Sequence, residues 1–320
     1  MANDIEESGV PAYVLFALGL LGNGLALGVI CWNRENHQWR SFYIFFVGLA
    51  VSDFLNQMVM FPVTALRYAS DFDYEISPQI CQLMSFFYAF TQISSGIIIA
   101  GITTDQYLFL MIGQSLDTMQ GNRRIYILFL CVIWIVSALV SSLHLFIGTS
   151  QVFYPGSWCF VDVTDGGIGN ITSALFYSLT GIAVLIYTVS LNVCIVYKSY
   201  RNPEHRCHLV DANRITGFYD FHVNMFLAVS VTVYVICWGP FLIDVLLRSV
   251  KVVSGNPGRW ELWLVRLIDI KSNINPFLYV LLRKEYLRNV FLCCKSCCIG
   301  NIQIPTSCEE TDRLVGVTEM

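Results

Sequence analysis

Charge is what this 320-residue chain has least of: Asp, Glu, Lys and Arg make up 13% of it, against 55% hydrophobic residues. A soluble domain carries about twice that charged share, so a soluble protein is excluded and a membrane protein expected. With a net charge of −4 there is no basic stripe, which removes nucleic acid as a partner. The chain also lacks the internal repeat that builds many transporters. Its acidic first ten residues supply no basic n-region, so the first span is expected to act as the signal anchor in place of a cleaved peptide. His37, His144, His205, His208 and His222 are scattered without a metal-ligand or triad pattern. No enzyme, metal or cofactor chemistry is expected from them.

What the chain has instead is seven long apolar stretches: Pro11 to Trp32, Ser41 to Tyr68, Ile80 to Gly113, Arg124 to Ile147, Thr172 to Tyr200, Phe221 to Val250 and Trp260 to Leu282. Each is long enough to cross a hydrocarbon core about 30 Å thick. The expected fold is an all-α membrane protein, a seven-transmembrane helix bundle. Arg283 to Leu292 reads as a short cytoplasmic amphipathic helix on the inner leaflet. Residues 1–292 then form the seven-transmembrane domain with its amphipathic helix and 293–320 a cytoplasmic tail with a cysteine cluster. Cations set the orientation: with the N-terminus outside, the inner loops and tail hold thirteen Lys and Arg, the outer side only Arg67, Arg248, Lys251 and Arg259.

Of twelve cysteines, only Cys81 and Cys159 fall on the oxidising side of that topology, where a disulfide would strap the second outer loop across the bundle mouth. Asn170-Ile171-Thr172 in the same loop is a glycosylation acceptor close to the start of helix five. Cys293, Cys294, Cys297 and Cys298 have spacing that admits zinc, but four ligands in six residues with apolar neighbours at a membrane surface read better as palmitoylation sites.

Helix seven breaks the pattern with Arg266, Asp269 and Lys271 inside a span. A charge at bilayer depth costs at least about 2.5 kcal/mol, which marks a ligand pocket, an ion site or a switch. Arg266 lies in the outer part of the span, where it either snorkels to the interface or faces a ligand. Asp269, three residues on, shares its face and either orients or neutralises it. Lys271 is turned about 140° from Arg266 and sits one turn above Asn275. It faces either the polar centre or a neighbouring helix.

Local motifs narrow the choice. Gly22-Asn23, Leu49-Ala50-Val51-Ser52-Asp53, Cys81, Trp134, Cys237-Trp238-Gly239-Pro240 and Asn275-Pro276-Phe277-Leu278-Tyr279 occur in order. The set resembles the rhodopsin class of G-protein-coupled receptors across almost the whole chain. Within that class Tyr154-Pro155-Gly156-Ser157-Trp158-Cys159-Phe160 is similar to the loop signature of prostanoid receptors. So are Phe61 to Tyr68 at the end of helix two, the nine-residue spacing from Arg266 to Asn275, and a helix five without proline.

The resemblance implies that Tyr68, Ser157 and Arg266 grip the carboxylate of a fatty acid, with Asp269 beside them where the family has a small polar residue. An arginine fork and two hydroxyls suit that anion. It implies a sodium ion held by Asp53, Ser95 and Asn275, a place that the Lys271 ammonium is expected to take by pairing with Asp53. It implies that Trp238, above the Pro240 kink, acts as a rotamer switch. An opsin is excluded, because that family's Schiff-base lysine would stand at Asp269. For coupling to a heterotrimeric G protein the class uses an acid, arginine and tyrosine on helix three, an acid on helix six and the helix-seven tyrosine. Here these positions are Asp105, Gln106, Tyr107, Asp220 and Tyr279, and the arginine is missing. The expected function is a plasma-membrane receptor for a prostaglandin-like lipid acid. The alternatives are a class member for another ligand and a non-signalling scaffold or decoy.

Overall fold

The computed structural model describes residues 8–32, 41–112, 123–164, 167–201, 214–255 and 257–281. Seven helices account for most of them: α1 Val10–Trp32, α2 Ser41–Ala69, α3 Pro78–Ile112, α4 Arg123–Ile147, α5 Ile168–Arg201, α6 Arg214–Ser249 and α7 Arg259–Leu281. The expected spans hold to within a few residues, except that α5 begins before Thr172 and α6 well before Phe221. The expected amphipathic helix and the four tail cysteines lie outside the described residues.

Six of the helices are long and apolar enough to cross a membrane. The seventh, α7, carries Arg266, Asp269, Lys271, Asn273 and Asn275, of which all but the half-buried Asp269 are buried. Burial ranks the helices: 72% of the apolar window of α3 is inside the bundle, against 28% for α4 and α5. So α3 is the central post, while α4 and α5 present Leu128, Leu139, Ile186 and Val193 to the lipid. Such exposure would be an aggregation risk in water and is the normal state in a bilayer.

The helices interlock at identifiable points. Trp134 on α4 donates its indole N–H to Ser52 Oγ on α2 at 3.0 Å. Towards one end Phe46 and Tyr279 stack at 4.4 Å, with Phe226 edge-on at 5.8 Å from Phe46. Pro62, Pro240 and Pro276 interrupt α2, α6 and α7, while α5 has none. Each proline removes one backbone donor and permits a bend.

The other end is closed by an element the spans do not reveal: an antiparallel hairpin, β1 Ser150–Phe153 and β2 Trp158–Val161, with Phe153 opposite Trp158 and Ser150 opposite Val161. Its turn, Tyr154 to Ser157, places Gly156 at φ +112°, a conformation that side chains with a Cβ rarely adopt. All four residues of β2 are buried, and the Cys81–Cys159 disulfide ties the strand to the first turn of α3.

Candidate functional site

At the hairpin end, Phe160 of β2 is the plug. Its ring meets Tyr88 of α3 at 5.9 Å, Tyr177 of α5 at 5.3 Å and Phe241 of α6 at 5.2 Å. Edge-to-face aromatic pairs of this kind contribute about 0.5 to 1.5 kcal/mol each beyond area burial. Beside it the Trp158 indole donates to the Tyr154 carbonyl at 2.9 Å, which fixes the turn before Ser157.

Ser157 is buried, and its carbonyl accepts a hydrogen bond from Thr64 Oγ1 at 3.0 Å. Thr64 lies one helical turn before Tyr68, so the loop serine and the end of α2 are joined. The half-buried Tyr68 ring packs on Tyr13 and Phe72 at 6.3 and 5.2 Å and lies against Gly9 at the start of α1. Arg266 on α7 is 7% exposed, with its guanidinium 5.5 Å from the Trp263 ring.

Heights can be compared through α1. Asn273 Nδ2 donates to the Leu15 carbonyl at 2.8 Å, which fixes α7 against α1. Arg266 stands seven residues outward from Asn273 and Gly9 six residues outward from Leu15. At about 1.5 Å per residue both rise roughly 10 Å towards the hairpin. Arg266, Gly9 and therefore Tyr68 lie at similar heights, and the Ser157 carbonyl, bonded to Thr64, lies about one helical turn deeper. Asp269, one turn below Arg266, is half-buried and lies within electrostatic reach of both Arg266 and Lys271.

A second polar group lies deeper. Asp53 is fully buried; its Oδ1 accepts from Ser95 at 3.2 Å and its Oδ2 from Asn275 Nδ2 at 3.0 Å. The three residues named from the sequence do meet. Lys271, also 0% exposed, differs from expectation: its ammonium donates to Gln92 Oε1 of α3 at 2.5 Å and stands over the rings of Tyr234 at 4.3 Å and Trp238 at 5.7 Å. The direct pair with Asp53 is not formed. Ser95 and Asn275 already serve both carboxylate oxygens, and Gln92 offers the ammonium an acceptor on the facing helix. Trp238 is sealed, its indole N–H bonded to Tyr177 at 3.1 Å and its ring filling the space beside Gly96, where a Cβ would stand 2.8 Å away.

Near the opposite end of α3, Asp105 and Gln106 are buried and Tyr107 half-buried. Gln106 Oε1 has no hydrogen-bond partner among the described residues. Asp220 belongs to α6, but its side chain lies outside those described. Tyr279 is packed against Phe46 as above.

Asn170, named from the sequence as a glycosylation acceptor, is placed against the residue that precedes the hairpin. It sits within the first turn of α5, 4% exposed, its Oδ1 accepting from the Thr149 amide at 2.7 Å and its Nδ2 donating to Thr149 Oγ1 at 3.1 Å. The atom a glycan would join is enclosed and engaged, so the residue serves as a clasp between the hairpin and α5.

Three features escaped the sequence reading. Gln92 was signalled only by lying three residues before Ser95, on one face of α3. Arg67 donates to the Gly156 carbonyl and to the Phe72 carbonyl, both at 2.6 Å, and also to the Tyr74 carbonyl; adjacency to Tyr68 was its only signal. Arg248 on α6 pairs with Asp244 at 3.0 Å and with Glu261 on α7, and Glu261 also accepts the Gly258 amide at 2.6 Å.

Comparison with known proteins agrees with this architecture. The family model "7 transmembrane receptor (rhodopsin family)" matches residues 22–279. The rat (Rattus norvegicus) prostacyclin receptor is 26% identical, with 95% of this chain and 75% of that protein aligned. The human (Homo sapiens) prostaglandin E2 receptor EP4 subtype is 24% identical over 95% of this chain and 71% of that protein. The crystal structure of squid rhodopsin superposes with a TM-score of 0.73 at 16% identity, covering 98% of this chain and 91% of that one. The chain is therefore a multi-pass plasma-membrane protein that belongs to the rhodopsin family of seven-transmembrane, G-protein-coupled receptors, is similar to the prostanoid receptors, and is not an enzyme.

Proposed function

We propose that this receptor binds a lipid carboxylic acid of the prostaglandin type at its hairpin end, which faces the cell exterior, and passes the signal through α6 to a heterotrimeric G protein. The observation that carries the reading is Arg266, a guanidinium 7% exposed at about the height of Tyr68, with the loop held by Thr64 one turn deeper. A fork of N–H donors matches a carboxylate bidentately, and the Tyr68 and Ser157 hydroxyls complete the anion's shell. The names of the rat and human relatives support the same ligand class. The hydrocarbon chain lies among the aromatic side chains above Trp238, which couples occupancy to the Pro240 bend of α6. On this reading the N-terminus is outside and the C-terminus inside.

Binding of a labelled prostaglandin-like acid tests it. Arg266→Ala weakens affinity by much more than tenfold, and the methyl ester of the same acid binds the unaltered receptor poorly. Equal affinities for Arg266→Ala and the unaltered chain would remove the anchor.

One residue favours a second reading, a receptor that binds without signalling. Gln106 holds the helix-three position where the class has arginine, and a neutral amide forms hydrogen bonds about half as strong as charge-assisted ones. If Gln106→Arg leaves second-messenger levels unchanged with and without lipid acids, the scaffold or decoy reading gains.

A further inference from the structure

Lys271 lies too deep to meet an anion at the level of Arg266. We infer that its ammonium is the resident cation of the receptor core, replacing by covalent attachment the diffusible sodium ion for which the rhodopsin class uses Asp53, Ser95 and Asn275, and fastening α7 to α3 beneath Trp238. The inference does not depend on the identity of the ligand.

Geometry supplies the argument. The side chain is 0% exposed, so the charge has no path to snorkel and must be satisfied in place. Gln92 Oε1 takes one N–H at 2.5 Å. The faces of Tyr234 and Trp238 lie 4.3 and 5.7 Å from Nζ, within the reach of a cation–π contact. Charge balance is supplied through space, since Asp53 and Lys271 are each other's principal electrostatic partners in this layer. Its neutral donors hold the Asp53 carboxylate in position while the ammonium supplies the opposite charge.

The residues therefore do not fit a sodium ion. This layer holds one fully buried carboxylate and one fully buried ammonium; a second cation at Asp53 would be repelled by Lys271 in a low-dielectric interior. Asp269, the next acid outward, is already shared with Arg266. An experiment that separates a resident ammonium from an exchangeable sodium ion tests this.

Thermal unfolding of the purified full chain in sodium chloride and in choline chloride at equal ionic strength does so, with no ligand added. The unaltered protein melts at the same temperature in both salts. Lys271→Asn, which frees Asp53, gains a saturable, sodium-specific rise in Tm of several degrees, and adding Asp53→Asn abolishes that gain. A sodium-specific rise in the unaltered protein overturns the inference, and so does a folded Lys271→Asn that melts alike in both salts. Should Lys271→Asn fail to fold, Lys271→Gln is read in its place, and the unaltered protein still decides by itself whether sodium binds.

Discussion

One helical turn separates Arg266 from Asp269, and the Asp269 carboxylate also feels Lys271 two residues further on. With a cation on either side, we propose that Asp269 orients the Arg266 guanidinium and does not cancel it. Asp269→Asn is accordingly expected to weaken binding of a lipid acid about three- to tenfold, the worth of a modest charge-assisted contact. Competition binding against the same labelled acid checks this, and a gain in affinity would mark Asp269 as a neutraliser. Arg266 and Asp53 were legible in the sequence because each is fixed by its distance from a motif. Gln92, Arg67 and Arg248 were not, because their partners are a lysine, carbonyls and acids reached across the fold, and spacing along one helix does not show which face meets which neighbour. For the same reason Lys271 was expected to bond Asp53 directly, whereas its direct bond is to Gln92 and Asp53 acts on it through space.

Two elements are joined by the Arg248 cluster. Arg248 and Glu261 are 9% and 3% exposed, and between them they hold the last turn of α6, the first turn of α7, the Gly255 carbonyl at 2.9 Å and the Gly258 amide. Removing Arg248 leaves the Asp244 and Glu261 carboxylates buried without a cation, which costs about 3 to 5 kcal/mol, whereas replacing all three by apolar groups restores most of the loss. Arg248→Met is therefore expected to lower Tm by several degrees and the triple change Asp244→Leu, Arg248→Met and Glu261→Leu to recover most of it. Scanning fluorimetry of the three proteins checks the cycle. The same reasoning explains why helices were predictable here and the hairpin was not. A span announces itself by some twenty apolar residues, but Trp158 to Val161 is a four-residue apolar run whose strand state is set by pairing with Ser150 to Phe153 and by burial against α3 and α5.

Across the whole molecule the bundle was readable because a bilayer admits few solutions: backbone groups must be satisfied within each span, and seven apolar spans then pack by turning polar residues inward. The cross-link between Cys81 and Cys159 closes 78 residues of chain, a loop for which chain entropy gives about 4.5 kcal/mol. Cys81→Ala is expected to leave the helical circular dichroism unchanged while loosening the hairpin, so that lipid-acid binding falls at least tenfold; retained affinity would show that the aromatic plug suffices without the covalent tie. The hairpin is also held by Arg67, which grips carbonyls from two separate loops, that of Gly156 and those of Phe72 and Tyr74. The two loops thus behave as one rigid part with a single hinge pin at the end of α2. A chimaera that exchanges either loop with another receptor should misassemble, and only a transplant carrying both loops together with Arg67 should keep the mouth intact.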